Sequence, residues 1–540
     1  MKRRDFLQTL PVGALLALGG GSLSACAKRI EDIPVGWLGA DPSVAHRLRE
    51  PMPTMTGAAQ KHCDVLIVGA GVAGLSAAWW LARSTDLDIA VLDLQDAAGG
   101  NARGGVNATS AFPLGAHYLP SPGQSARHVR QLLADLGVIR GDPFAARPDY
   151  DPLNVCFAPQ ERLWIHGAWQ EGLLPLAEPG SADARQYERF AELIDGHLRS
   201  GRFRMPRIAL ALDDPLRALD GLSMRAWMQQ QDLNSAALHW YVDYCCRDDY
   251  GTSSNATSAY AGVHYFASRH GFLARDKAGA EPNDPVLTWP QGNGWLTDAM
   301  RRWINTRRSG FLHTQRMARR VEQDATGVTA DVLDLQAGQN ERWRAKRAIL
   351  ALPTFVLPHI VQACPDAWSQ AAKQLEHAPW LVANLTLNRT PESVDGSPLA
   401  WDNVLYDSAS LGYVNATHQS LRSRPGPTVW TWYRALAEMS PLAARKLLLE
   451  TPAQQWVAQA IADLAAPHRG LLDAVERVDL TRYGHAMARP TPGSMFAPWR
   501  EALAQPSGRL MMAHSDLAGY SVFEEANHYG VRAGEWAGSA

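Results

Sequence analysis

An α/β fold is what this chain of 540 residues predicts, and three observations carry the prediction. Residues 64–100 hold an apolar run, a cluster of glycines and a second apolar run closing on an acid. Further along, apolar segments of strand type alternate with stretches at helical spacing. The composition, 46% hydrophobic and 20% charged, allows a large buried core, and a chain of this length divides into about two domains.

Asp64-Val-Leu-Ile-Val68 reads as a strand, and Gly69-Ala-Gly71-Val-Ala-Gly74 follows it at once. Gly69 allows the tight turn, Gly71 lets the backbone approach a pyrophosphate, and Gly74 permits close packing of the next helix, with Ala73 in the same turn. Free N–H groups and a positive dipole end at that helix N-terminus suit phosphates. Ile89–Leu92 is the second strand, and Asp93 stands about 20 residues past the last glycine, where an acid takes ribose hydroxyls. Strand, glycines, helix, strand and acid in this order make a Rossmann-like dinucleotide site.

At the front, Lys2-Arg3-Arg4-Asp5-Phe6-Leu7 precedes a mild apolar stretch from Leu10 to Leu18, three glycines, and Leu23-Ser24-Ala25-Cys26. The stretch is short of the ~20 apolar residues a membrane span needs. It resembles a twin-arginine export signal, residues 1–25, ending in a lipoprotein cleavage box. That resemblance implies passage of a folded, cofactor-loaded chain through the twin-arginine translocon to the periplasm or cell envelope, and a lipid anchor on Cys26. Residues 26–60, rich in Pro, Gly and polar types, read as a tether.

Besides Cys26 there are Cys63, Cys156, Cys245, Cys246 and Cys364, an odd number that leaves at least one thiol free. The vicinal pair reads as buried thiol, since a chain folded in a reducing compartment need not depend on disulfides. No CxxC or HExxH occurs, so no metal site is expected. A net charge of −2 with interspersed signs carries no nucleic-acid footprint.

Past Asp93 the chain enters Asp96-Ala-Ala-Gly99-Gly100-Asn101-Ala102-Arg103-Gly104-Gly105. A nicotinamide dehydrogenase would usually go on to another strand and helix. Two adjacent glycines soon after the acid, then an arginine, resemble the FAD-binding segment of the flavin amine oxidase and phytoene desaturase superfamily. Glycines admit close backbone approach and a guanidinium offsets phosphate charge. Arg103 is the candidate, although the family more often has its arginine where this chain has Asn101. Phe112-Pro-Leu-Gly115-Ala116-His117-Tyr118 resembles the family's strand against the flavin ring, which makes His117 a candidate active-site residue.

Three further segments follow the family's order. Trp289–Leu296 resembles the turn that re-enters the flavin domain and starts a helix. Phe311 to Val332 reads as strand, turn at Gly327 and strand, with Val321 at the family's apolar contact to adenine. Arg347–Pro353 looks like the strand ending in "AxP". At the C-terminus, Gly508–Asp516, Gly519–Ala526 and Gly530–Ala533 are similar to the closing strand, acidic residue and helix that return to the flavin. Either Ser515 or Asp516 would meet the ribityl chain, and Phe523 and Glu524 open a helix whose N-terminus would face the N1–C2=O edge of reduced flavin. His514, beside them, is a second candidate for tuning the flavin.

The resemblance implies a discontinuous Rossmann-like FAD-binding domain, residues 61–120, 287–360 and 500–540, and a mixed α+β substrate domain, residues 121–286 and 361–499. Helical spacing runs from Gln124 to Leu136, Ser181 to Leu198, Ala443 to Glu450 and Ala453 to Leu464. Asn154–Phe157 with Leu163–His166 suggests a hairpin, and Leu381–Leu387 a strand. Amine oxidases of the family often carry a lysine on that last strand, linked through water to flavin N5. This chain has no lysine from Gln374 to Arg445, and Asn384 takes that neighbourhood without the acid–base capacity. The family's substrate-sandwiching aromatic pair would fall near Ala486 and Val522. Paired acids at Asp248 and Asp249, with Tyr244, Tyr250, Tyr260, His264 and Tyr265, and Trp401-Asp402-Asn403 with Tyr406, suit either a cationic substrate or an ordinary core.

The reaction expected is hydride transfer from a small organic substrate to FAD, with reoxidation by oxygen, a quinone or a protein carrier. A desaturase or isomerase acting on an unsaturated or lipid-like substrate, a nicotinamide dehydrogenase and a flavin-bearing interaction protein stay open beside it.

Overall fold

The computed structural model describes residues 28–51, 55–207, 214–269, 271–272, 285–422 and 424–539. The export signal and Cys26 lie outside the described residues.

Val65–Val68 is buried at all four positions, as a strand must be when both faces of its sheet are covered. It lies at the centre of a five-stranded parallel sheet in the order Leu312–His313, Ile89–Leu92, Val65–Val68, Arg347–Leu350, Leu510–Met512. The helix Val72–Ser84 follows, capped by Gly71 and buried over most of its length. The last helix, Phe523–Gly538, lies across it on small residues: a Cβ at Gly530 would come 2.2 Å from the Ala73 carbonyl oxygen. Thus segments more than 400 residues apart in sequence pack as neighbours.

A second sheet of eight strands runs in the order Val35–Trp37, Val475–Ala488, His377–Leu387, Thr428–Ala435, Tyr413–Asn415, Asp402–Leu405, Glu161–Ile165, Ala168–Glu171. Alternate side chains of its long strand go to opposite faces. Leu381, Ala383, Leu385 and Leu387 pack in one core with Leu448, Trp456 and Ile461 of the helices Pro441–Glu450 and Ala453–Ala465. Trp380 and Val382, on the other face, line a cavity. A third sheet joins Arg316–Gln323, Val328–Asp334 and Gln339–Ala345 as an antiparallel meander, with Ala59–His62 at its edge.

Two sequence expectations need correcting. Leu163–His166 does form a hairpin, but its partner is Ala168–Glu171, whereas Val155 and Cys156 bond to Val286 and Leu287. Residues 28–51 are no free tether: Ile33 is buried, Val35–Trp37 pairs in parallel with Val478–Leu480, and Arg319 holds the carbonyls of Arg47, Glu50 and Pro51. Low periodicity in this stretch reflects an arm built to fit the surface beneath it.

Among the described residues all five cysteines are free thiols. Burial pushes the Cys63 thiol up to about 12 and the Cys245 and Cys246 thiols up as well, so none is a ready thiolate. No described helix is long and apolar enough to cross a membrane.

Candidate functional site

A cavity of about 430 Å³ lies where the carboxyl ends of the parallel strands meet the second sheet. Gly69 and Gly71 follow Val65–Val68, Asp93 follows Ile89–Leu92, Ala351–Pro353 follow Arg347–Leu350, and His514 and Ser515 follow Leu510–Met512. Ligands of open α/β sheets bind at such carboxyl ends.

The glycines divide by physical role. Gly69 has φ +105, and a Cβ there would meet the Ala351 carbonyl oxygen at 2.2 Å. A Cβ at Gly74 would come 1.8 Å from the Gly69 oxygen, so these two are required by the protein itself. Gly71 differs: φ is −71, and the nearest atom to its Cβ would be the Gly100 Cα at 4.0 Å. Nothing in the chain demands a glycine there, and the space it leaves belongs to the cavity.

Around that space the polar groups suit a phosphate and a ribose. Val72 and Ala73 open a helix at the cavity wall, and Val522, Phe523 and Glu524 open another. Arg103 pairs with Asp96 at 2.9 Å, while its Nη1 is buried without a partner. Asn293, also on the wall, donates to the Tyr118 carbonyl at 2.8 Å and leaves its own Oδ1 buried and unpaired. Asp93 accepts from the Ala70 amide at 2.7 Å and the Gln95 amide at 2.8 Å, which leaves further lone pairs on each oxygen. Burial raises its carboxyl above the usual range, opposed by those amides and by Arg103. Gly99, Gly100, Asn101, Gly115 and Ala116 complete this part, with Asn101 donating to the Ala486 carbonyl at 2.7 Å.

At the other end His117 is packed by aromatic rings, with centroids at 4.6 Å to Tyr433, 5.0 Å to Tyr118 and 5.5 Å to Trp401. Burial pushes its imidazole down to about 3, so it is neutral and able to accept or donate at one nitrogen each. Tyr118 donates to Asp248 at 3.4 Å, and Asp249 pairs with Arg269 at 3.2 Å. All four of these line the cavity. Burial, then the neighbouring Asp249 carboxylate, pushes Asp248 up to about 7.

Four expected site residues lie off the cavity wall, Gly74 among them because it packs against Gly69. Val321 is on Arg316–Gln323 but packed against Val361, and the part of that segment beside Asp93 is Arg316, whose amide donates to the Asp93 carbonyl at 2.8 Å. Asn384 shares a strand face with Trp380 and Val382 yet sits beyond the cavity, accepting from Thr431 at 2.7 Å. Asp516 is turned inward. One carboxylate oxygen accepts from the Thr354 amide and hydroxyl, both at 2.9 Å, and the other meets His377 at 3.0 Å and His514 at 3.2 Å. Ser515 is the neighbour that reaches the wall.

Ala486 and Val522 do line the cavity, and neither is aromatic. The rings come from Trp380, Tyr433 and Tyr483 instead, three positions with no local sequence signal. His377, His485 and Arg269 were missed in the same way. His264 is a core residue, bonded to the Arg204 carbonyl at 2.9 Å, and Asn403 is buried against Arg162.

Fold and site together define a two-domain α/β protein with a Rossmann-like nucleotide domain. A family model for NAD(P)-binding Rossmann-like domains matches residues 67–136. Solved structures of similar fold include putrescine oxidase bound to putrescine, 16% identical, covering 89% of this chain and all of that one, with TM-score 0.65. Cyclohexylamine oxidase from Brevibacterium oxydans is 14% identical over 88% of this chain and 98% of that one, TM-score 0.62. A fatty acid isomerase from P. acnes that produces CLA is 14% identical over 87% and 97%, TM-score 0.59. A comparison with curated protein sequences finds no match.

Proposed function

We propose that this chain is an exported FAD-dependent oxidoreductase that oxidises a small, cationic organic substrate of the amine class. The observation that carries the cofactor is the cradle at Gly71, which no packing within the protein requires, beside the unpaired Arg103 Nη1 and Asn293 Oδ1. The fold shared with two amine oxidases supports the reaction class. Gly71, Val72 and Ala73 would hold the pyrophosphate, Asp93 the ribose, and Ser515 with the Phe523 helix end the ribityl and ring edge. When bound, FAD supplies a two-electron acceptor for hydride. The aromatic walls exclude water, ionised Asp248 attracts a cation, and neutral His117 can accept a hydrogen bond from a substrate N–H and fix its orientation.

A second reading, an isomerase of an unsaturated substrate, is favoured by one observation: the small side chains at Ala486 and Val522 leave no sandwich for an amine. Anaerobic mixing separates the two. The purified protein should absorb near ~450 nm, and a cationic amine should bleach it. Bleaching by no amine, with an unsaturated fatty acid rearranged and the colour kept, would favour the isomerase. A colourless protein that cannot be reconstituted with FAD would end both readings.

Asp248 gives the amine reading a pH signature. Rising pH through about 7 ionises it, so KM for a cationic substrate should fall across that window and stay flat in Asp248→Asn. Stability runs the other way. A carboxyl raised in the folded state contributes stability that is fully present below its ordinary value, about 4, and is lost as pH rises from there to its folded value, so the Tm of the native chain should fall between about 4 and about 7 more than that of Asp248→Asn and then level off. Identical profiles for the two proteins would remove Asp248 from the site.

Export is tested separately. Arg3→Lys with Arg4→Lys should hold the protein in the cytoplasm, and unchanged export in a fractionation experiment would refute the twin-arginine reading.

A further inference from the structure

We propose that the outer face of the helix Pro441–Glu450, together with Trp37, rests on a lipid bilayer. The proposal rests on the export reading in one respect: the lipid it names is the membrane to which an acylated Cys26 would be tethered.

The helix needs little of its surface for packing, since only Ala444 and Leu448 are buried. A helix facing water ordinarily puts charged and polar residues on the remainder. Here Leu442 is 73% exposed, Leu449 50%, Leu447 37% and the preceding Met439 36%. Single exposed apolar residues are ordinary, but Leu442 and Leu449 share one stripe of the helix just past Met439, and Leu447 stands bare on its flank. Leu442, Lys446 and Leu449 lie on one stripe, three and four residues apart, so an amine stands between two bare leucines. An amphipathic surface of that kind sinks its leucines into the headgroup boundary and keeps the amine at the interface.

Trp37 extends the patch. It is 41% exposed, and the Arg482 guanidinium lies 4.5 Å over its ring while donating to the Leu448 carbonyl at 3.4 Å. Strand and helix therefore share one edge. The N-terminal arm follows that edge: Gln454, just past the helix, donates to the Ile33 carbonyl at 3.2 Å, and Lys28 bonds the Val475 carbonyl. Lys28 stands two residues after Cys26, so the tether would reach the body beside the apolar face. This continuity selects a bilayer over a second copy of the chain as the occupant.

The cavity lies just behind. Gly39 and Ala40, shortly past Trp37, are on its wall, and Arg445 of the docking helix donates to the carbonyl of His377, another wall residue, at 3.4 Å. Docking would hold the cavity roughly a helix diameter, about 10 Å, from the lipid.

The test uses the full chain with Cys26→Ser, which cannot be acylated, and vesicles of mixed phosphatidylethanolamine and phosphatidylglycerol. It should co-sediment with them. Adding Leu442→Gln, Leu447→Gln and Leu449→Gln should lower the partition coefficient at least about tenfold, with circular dichroism and Tm unchanged. The signal segment is common to both proteins, so the difference reports the helix. Equal partitioning, or no vesicle binding by the parent, would overturn the proposal. So would a dimer of the parent that the triple variant converts to monomer without changing vesicle binding. The mass of the mature N-terminus in the unaltered protein tests acylation independently, and an unmodified Cys26 would sink the anchor while leaving the vesicle result intact.

Discussion

Gly71→Leu should fold normally and come off purification without colour. Its φ of −71 is open to any residue, and its Cβ direction meets only the Gly100 Cα at 4.0 Å, so the protein gains no clash. The leucine instead fills space that a pyrophosphate would need. Overpacking of about 1–3 kcal/mol corresponds to roughly a tenfold to hundredfold loss of affinity. Gly74→Leu supplies the contrast, because its Cβ would sit 1.8 Å from the Gly69 oxygen and should prevent folding altogether. The ratio of flavin to protein absorbance, read with a thermal melt, distinguishes the outcomes. Stoichiometric flavin in Gly71→Leu would sink the phosphate-loop assignment.

Asp516→Ala should cost more stability than any other single truncation near the cavity. Its carboxylate is fully buried and accepts from three donors, the Thr354 amide and hydroxyl and His377, while His514, whose Nδ1 accepts from the Asp516 amide at 3.1 Å, lies beside it. Removing one member of a buried charged network typically costs about 3–5 kcal/mol, a large part of the stability of most folds. The pH dependence has a definite sign. Burial pushes this carboxyl up, but His377 and His514 outweigh it and hold it well below the usual range. Its stabilising contribution is therefore present above the ordinary aspartate value, about 4, and is lost as pH falls below it. Urea melts of the native chain should show a loss on acidification that Asp516→Ala lacks. A variant with the native midpoint would show that the histidines find other partners at no cost.

What could be read from the chain and what could not follows from how far each feature reaches in sequence. Strand, glycine turn, helix and acid from Val65 to Asp93 are local, and each residue's role is set by neighbours within a few positions. The end of the cavity along His377–Leu387 is a different matter. Val382 and Asn384 have the same parity on one strand, and only the surrounding packing decides that the first faces the cavity and the second bonds Thr431. Val321 and Arg316 lie on one segment in the same way, and its pairing beside Asp93, a tertiary fact, selects the earlier residue. Ser515 and Asp516 stand as alternatives at the end of the closing strand, and nothing local decides that the Asp516 side chain turns inward. His377, which helps to draw it inward, is 139 positions away and shares no motif with it.

The packing of Gly530 and Gly534 over Ala73 and Ala77 also sets a timetable. At synthesis rates of roughly 5–20 residues per second, the glycine turn is made roughly 20 to 90 seconds before Glu524 is added. Until then the helix after Gly71 has no lid, and the wall of the cavity that Phe523 and Glu524 supply does not exist. A nucleotide arriving early would find half a site. Chains released prematurely by the ribosome should therefore leave without cofactor, so a coloured molecule is one whose translation ran to the last helix.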